Sequence, residues 1–190
     1  MAAALKYIQM ENIHLDASKG SDPKLMARLE AYRNAYLALT PPDNFDTAIY
    51  TSVEILFGTT NPNGTTGVAA FRIKFSSKYC NKFGTVHGGA IATLVDGVAQ
   101  CSTAVVEGDM SNASSSSGKG KGRVGGGATK GLQISYLKPI KVGEAVKVVC
   151  EILKSGLGGA TIRCTVSREL EGEVLAVCVM EKESYDRAKL

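Results

Sequence analysis

The chain has no tryptophan, two histidines, five prolines and five cysteines in 190 residues, and the histidine and cysteine counts each exclude something. Two histidines, His14 and His87, are too few for a multi-histidine metal centre, so no metal site is expected. The cysteines, at 80, 101, 150, 164 and 178, are odd in number and contain no Cys-x-x-Cys pair, so neither a disulfide framework nor a thiolate zinc site reads from them. Cys150, Cys164 and Cys178 instead sit in apolar β-type runs, where a buried thiol behaves as a small hydrophobe; a reducing compartment is the expectation. No Gly-x-Ser-x-Gly elbow is present, which removes the α/β-hydrolase reading. No apolar run approaches the roughly 18 residues that a membrane span needs, and the one at Ala90–Val95 is interrupted by Thr93.

Excess charge of either sign is also scarce. Lys and Arg number 22 against 18 Asp and Glu, a net +4. Much of the surplus falls in Gly108–Gly127, where Lys119, Lys121 and Arg123 face one acid, Asp109. A nucleic-acid binder carries its basic residues over a folded face, so nucleic acid is not an expected partner. What the chain has is an ordinary globular composition, 44% hydrophobic and 21% charged. Residues 1–20 lack the apolar core of a secretory signal, and Glu11 and Asp16 argue against a transit peptide. The terminal Ala188-Lys189-Leu190 is one conservative step from the Ser-Lys-Leu address of peroxisomes. The expected location is the cytoplasm or a peroxisome-like organelle, in preference to the mitochondrion.

Hydropathy patterning divides the chain into elements. Ser21 caps a predicted helix with Pro23 in its first turn, and Leu25, Leu29, Tyr32 and Tyr36 recur at helical spacing until Pro41-Pro42. Ile49, Thr51, Val53, Ile55 and Phe57 then alternate as a strand, and Asn61-Pro62-Asn63-Gly64 turns it into a second strand carrying Ala69, Phe71, Ile73 and Phe75. From Gly89 to about Val106 the pattern is helical and apolar, with Asp96 its only interior charge, so this helix is expected to be buried on most sides. Gly108–Gly127 has too little apolar content to order itself. Its Gly120, Gly122 and Gly125 fit a dinucleotide-binding pattern but lack the strand before and the helix after that the pattern needs. Four more β runs follow, around Leu132–Tyr136, Val146–Ile152, Ile162–Val166 and Val174–Met180, joined by short glycine-bearing connections that imply antiparallel pairing. An α+β fold results: a curved six-stranded antiparallel sheet wrapped around one long central helix, plus an N-terminal helix. Residues 1–44 form an extension and 45–190 the domain, with 108–127 an insertion.

The segment Asn81-Lys-Phe-Gly84-Thr-Val-His87-Gly88-Gly89 runs directly into the apolar helix, where Leu94-Val95-Asp96 follows. This combination resembles the hotdog-fold thioesterases, specifically the phenylacetate-pathway type and its eukaryotic acyl-CoA thioesterase relatives. The run Gln133-Ile-Ser-Tyr136-Leu-Lys-Pro139 is similar to the family's third strand. The likeness covers residues 45–185. The longer Gly108–Gly127 segment and the first forty-odd residues depart from it.

Thioester hydrolysis needs donors that hold the electrophilic carbonyl and a base that activates water. Gly88 and Gly89 open the helix, where backbone N–H groups lack partners and the dipole end is positive, and glycine allows a bulky thioester to come close. The resemblance implies that the Gly88 N–H polarises the carbonyl with help from the Asn81 amide. It further implies that Asp96 is the base for water or, as the lesser alternative, a direct nucleophile on the thioester, and that Thr129 stands where the family has a water-orienting hydroxyl. His87 and Gly89 shape the substrate-binding side. No cofactor is implied, coenzyme A being part of the substrate, and the phosphates of its nucleotide would meet Lys138 or the Lys119–Arg123 segment. Gly88 and Asp96 are eight residues apart, about 12 Å along a helix, so one carbonyl cannot meet both within a subunit. The site is therefore expected between two chains of a homodimer or homotetramer, in agreement with the family's obligate dimers.

Each residue also has a plainer reading. Thr93, Asp96, Gln100 and Thr103 share a stripe, so Asp96 could simply mark the wetter face of the helix. His87 could bond local backbone, Gly88-Gly89 and Asn81 could form turns, and Tyr32 and Tyr36 are expected to pack the N-terminal helix rather than line a substrate box. The expected activity is acyl-CoA thioester hydrolysis in fatty acid metabolism. The alternative is a non-catalytic acyl-CoA-binding hotdog protein, which the presence of Asp96 disfavours. A hotdog hydratase lacks its second histidine here.

Overall fold

The computed structural model describes residues 22–106, 127–156, 158–170 and 172–183. The termini, with Ser21 and Ala188-Lys189-Leu190, and residues 108–126 of the glycine-rich segment lie outside the described residues. Helix α1 spans Pro23–Leu39 and opens on Asp22, whose side chain accepts from the Lys24 N–H, with Pro23 at the first helical position. The expected cap was Ser21; the residue next to it performs the task. A short helix α2, Thr47–Thr51, comes next, and then strands β1, Glu54–Thr60, and β2, Gly67–Lys74. The long helix α3 runs Gly88–Ser102 and tightens into a 3₁₀ turn over Thr103–Val105. Strands β3, Ala128–Tyr136, β4, Ala145–Gly156, β5, Gly159–Arg168, and β6, Val174–Glu183, complete the chain.

One expectation fails here. Ile49 and Thr51 belong to α2, not to the first strand, which starts only at Glu54. Five residues alternating at period two do not exclude one helical turn. Ile49 and Tyr50, adjacent in sequence, are both buried, which a strand lying on one face of a core does not allow.

All six strands join one antiparallel sheet in the order β1-β2-β4-β5-β6-β3. The inward residues of β2, β4, β5 and β6, among them Phe71, Val148, Cys164 and Met180, form one apolar cluster with Leu94, Val95 and Val98 of α3. Full burial of a Leu or Val is worth about 1.5–3 kcal/mol, so this helix is held chiefly by the sheet around it. Leu29 of α1 and Ile49 of α2 enter the same core. Among the described residues the strand order leaves β1 and β3 with one unpaired edge each.

Candidate active site

Helix α3 opens on His87, whose Nδ1 accepts from the Gly89 N–H at 2.9 Å. One donor of the first turn is thereby occupied by the cap, and the neighbouring Gly88 N–H belongs to the same positive helix start. The ring of Tyr136 lies against Gly88, with its hydroxyl donating to the Gly88 carbonyl at 2.9 Å, so β3 buttresses this end of α3. Asn81 folds its own loop: Oδ1 accepts from the N–H of Phe83 at 2.9 Å and of Thr85 at 3.3 Å, while Nδ2 donates to Thr85 Oγ1 at 2.8 Å. That turn leads the chain into His87, whose N–H bonds the Tyr79 carbonyl.

Two turns further along, Asp96 projects from the wall of a cavity of about 260 Å³ lined by Tyr32, Tyr36, Tyr50, Phe71, Thr129 and Lys182, among others. Asp96 is 44% exposed in the single chain. Its Oδ1 accepts from Thr129 Oγ1 at 2.5 Å. A β-bulge makes this contact possible. The pairing of β3 with β6 slips between Thr129 and Gly131, so that Thr129 stands opposite Lys182. Strict alternation back from Tyr136, Ile134 and Leu132 would have turned Lys130 inward; the extra residue brings Thr129 to the Asp96 side instead.

Asp96 and Thr129 thus meet, and His87, Gly88 and Gly89 meet, but Asp96 lies two turns along α3 from Gly88 and the cavity beside Asp96 does not include Gly88. Tyr32 and Tyr36 do pack against the core, and their rings also border the cavity. Tyr36 donates to Asp46, and burial first, then this bond, pushes its hydroxyl up from 10.0 to about 12. Burial, followed by the negative charge of Asp96, likewise raises Tyr50, whose hydroxyl donates to the Thr93 carbonyl at 3.0 Å. Sequence reasoning passed over Lys182, Arg33 and Tyr50 as lining residues. For Lys182 a signal existed: it continues the inward series Cys178, Met180 by one more step of two.

Among the described residues no three His, Cys, Asp or Glu side chains converge as a metal site, and no helix is long and apolar enough to cross a membrane.

A curved antiparallel sheet wound on a buried helix, with a capped Gly-Gly start at one end and a carboxylate midway, defines a hotdog-fold protein. Residues 83–175, which include both ends of this arrangement, match the family model of the Thioesterase superfamily. Acyl-coenzyme A thioesterase 13 of Mus musculus is 28% identical over 104 residues, 55% of this chain and 64% of that protein; the Homo sapiens form is 24% identical over 147 residues, 77% and 89%. The crystal structure of thioesterase superfamily member 2 from Mus musculus superposes with a TM-score of 0.61 at 20% identity, covering 85% of this chain and 98% of that one. The E. coli PaaI protein of the phenylacetic acid degradation operon gives 0.60 at 12% identity, covering 85% and 96%. At such identities the structural likeness is one of fold.

Proposed function

We propose that the chain hydrolyses an acyl-CoA thioester to a free carboxylate and coenzyme A, with the reaction centre assembled between two subunits. The observation that carries this reading is the Asp96–Thr129 pair at the wall of an otherwise largely apolar cavity. A carboxylate there has no packing role to fill, and it stands where an acyl group and a water molecule can both reach it. The names of the acyl-CoA thioesterase 13 relatives support the substrate class.

In the proposed reaction the thioester carbonyl of the substrate lies against the Gly88 N–H of one subunit, with Asn81 shaping that loop and His87 capping it. Asp96 of the other subunit takes a proton from water as its oxygen attacks the carbonyl carbon. The negative charge gathers on the carbonyl oxygen beside the helix start, where the unpaired donor and the dipole stabilise it. Collapse breaks the carbon–sulfur bond, coenzyme A leaves as thiolate and then thiol, and the acid is released. Water is the co-reactant. The unpaired outer edge of β3 supports a dimer that supplies the second subunit: it is flanked by exposed Leu132, Tyr136 and Leu137, an apolar strip beside open backbone donors and acceptors.

A panel of acyl-CoAs of increasing length, assayed with the wild-type chain and with Asp96→Asn, tests the reading. Hydrolysis of at least one by the wild type, lost in the variant while coenzyme A ester binding survives, is the expected result. Binding without any hydrolysis by the wild type would instead establish the non-catalytic acyl-CoA-binding alternative.

A further inference from the structure

We propose that Lys182 is a positioning residue for the Asp96–Thr129 pair: from beneath the cavity it fixes the direction of the Thr129 hydroxyl and so holds the carboxylate in one orientation. The inference rests on the thioesterase reading and assigns a further residue to it.

Lys182 lies near the end of β6 and faces inward, its side chain 2% exposed. A lysine near a strand end ordinarily runs its stem along the surface and leaves its ammonium in water. Burying the charge costs several kcal/mol unless its donors are matched, and here they are. The ammonium donates to Gln100 Oε1, donates to Thr129 Oγ1 at 3.0 Å, and stands 4.0 Å from Asp96 Oδ1. Gln100 is held in turn, its Nε2 donating to the Tyr32 hydroxyl at 2.7 Å. The backbone beneath is equally fixed. Gly159 of β5, at φ 130°, lies so close that a Cβ there would fall 1.8 Å from the Lys182 carbonyl oxygen.

The direction of the contacts follows from what each group can do. An ammonium has donors and no acceptor; a threonine hydroxyl has one proton and two lone pairs. The Lys182 bond therefore uses a lone pair of Thr129 Oγ1, and the hydroxyl proton is left to point at Asp96 Oδ1, 2.5 Å away. Lysine donates to threonine and threonine donates to aspartate. One carboxylate oxygen is thereby tied down, and the other is left for water. Without the ammonium the hydroxyl is free to rotate, and its bond to the carboxylate is no longer held in one direction.

The test compares acyl-CoA hydrolysis by the full chain in four forms: wild type, Lys182→Met, Thr129→Val and the double variant, each checked for folding and oligomeric state. Lys182→Met is expected to lower kcat about 10- to 100-fold, as loss of an orienting partner typically does, with KM changed by less than about 3-fold. In the Thr129→Val background the same change is expected to cost less than about 3-fold, because the group through which Lys182 acts is gone. A purely structural lysine would instead reduce activity by the same factor in both backgrounds, and that result, or a kcat for Lys182→Met within 3-fold of wild type, overturns the proposal. Should Lys182→Met not fold, Lys182→Gln carries the same comparison, since it also removes the ammonium. A wild type inactive on every acyl-CoA overturns the thioesterase reading and this proposal with it, and is seen before any variant is compared.

Discussion

Asp96→Asn keeps the size and shape of the side chain and its acceptor for the Thr129 hydroxyl, but the amide cannot take a proton from water. Loss of a general base lowers turnover by about 10²- to 10⁴-fold, so kcat is expected to fall by that order with KM little changed. Steady-state kinetics on the best acyl-CoA decides it, and a variant turning over within a factor of ten of wild type would move the base elsewhere. The residue after it is under a different constraint. A Cβ on Gly97 would fall 1.8 Å from the ring carbon Cζ of Tyr50 and from its hydroxyl, and that ring is buried and bonded to Thr93. Gly97→Ala must push Tyr50 out of its seat or shift α3, at about 1–3 kcal/mol. Thermal unfolding of Gly97→Ala against wild type measures it, and an unchanged midpoint would show that Tyr50 can yield. Gly97 and Tyr50 both line the cavity beside Asp96.

At the scale of elements, α3 depends on its first turn. His87→Ala removes the acceptor for the Gly89 N–H and is expected to cost about 1 kcal/mol, the usual value of an N-cap, while His87→Asn, which still presents an oxygen there, restores most of it. Urea unfolding of the two variants checks the difference. The helix was legible in the sequence, because Gly88-Gly89 followed by an apolar run of one charge has few other solutions; His87 was read as shaping the substrate side, and its bond to the Gly89 N–H is the plainer, local alternative. The sheet was legible where alternation is strict, as in β2 and β4. It was not at Ile49–Thr51, where a helical turn and a strand give the same short pattern. Nor could alternation place Thr129: read back from Tyr136 it points the wrong way, and only the bulge at Lys130 turns it to Asp96. Lys182, by contrast, lies on the face that alternation gives it and was passed over because of its charge. A lysine after an apolar strand looks like the point where the strand meets water, and its burial depends on Gln100 of α3 and Thr129 of β3, partners 82 and 53 residues away.

The molecule as a whole has a pH dependence set by its interior. Burial pushes the Cys101 and Cys178 thiols up from 9.0 to about 12, and Tyr36 rises from 10.0 to about 12. Between pH 9 and 12 the unfolded chain has given up protons that the folded chain retains, so stability is full below pH 9 and is lost as the pH rises through that window. The urea midpoint is expected to fall between pH 8.5 and about 11, less steeply in Cys101→Ala. The arrangement of the site makes a stronger demand on the assembly. Asp96 and the Gly88 N–H lie about 12 Å apart along one helix, so the reaction centre proposed above takes α3 from two chains. A two-fold dimer then has two centres, each built from Asp96 of one chain and Gly88 of the other. Asp96→Asn alone and Gly88→Val alone, the second crowding the helix start, are each expected to be inactive. Mixed by co-expression they form heterodimers in which one centre combines both defects and the other has neither. Random pairing makes half of the dimers mixed, so about a quarter of the wild-type activity should return. A centre contained within a single chain would recover nothing, because every chain in the mixture carries one of the two lesions.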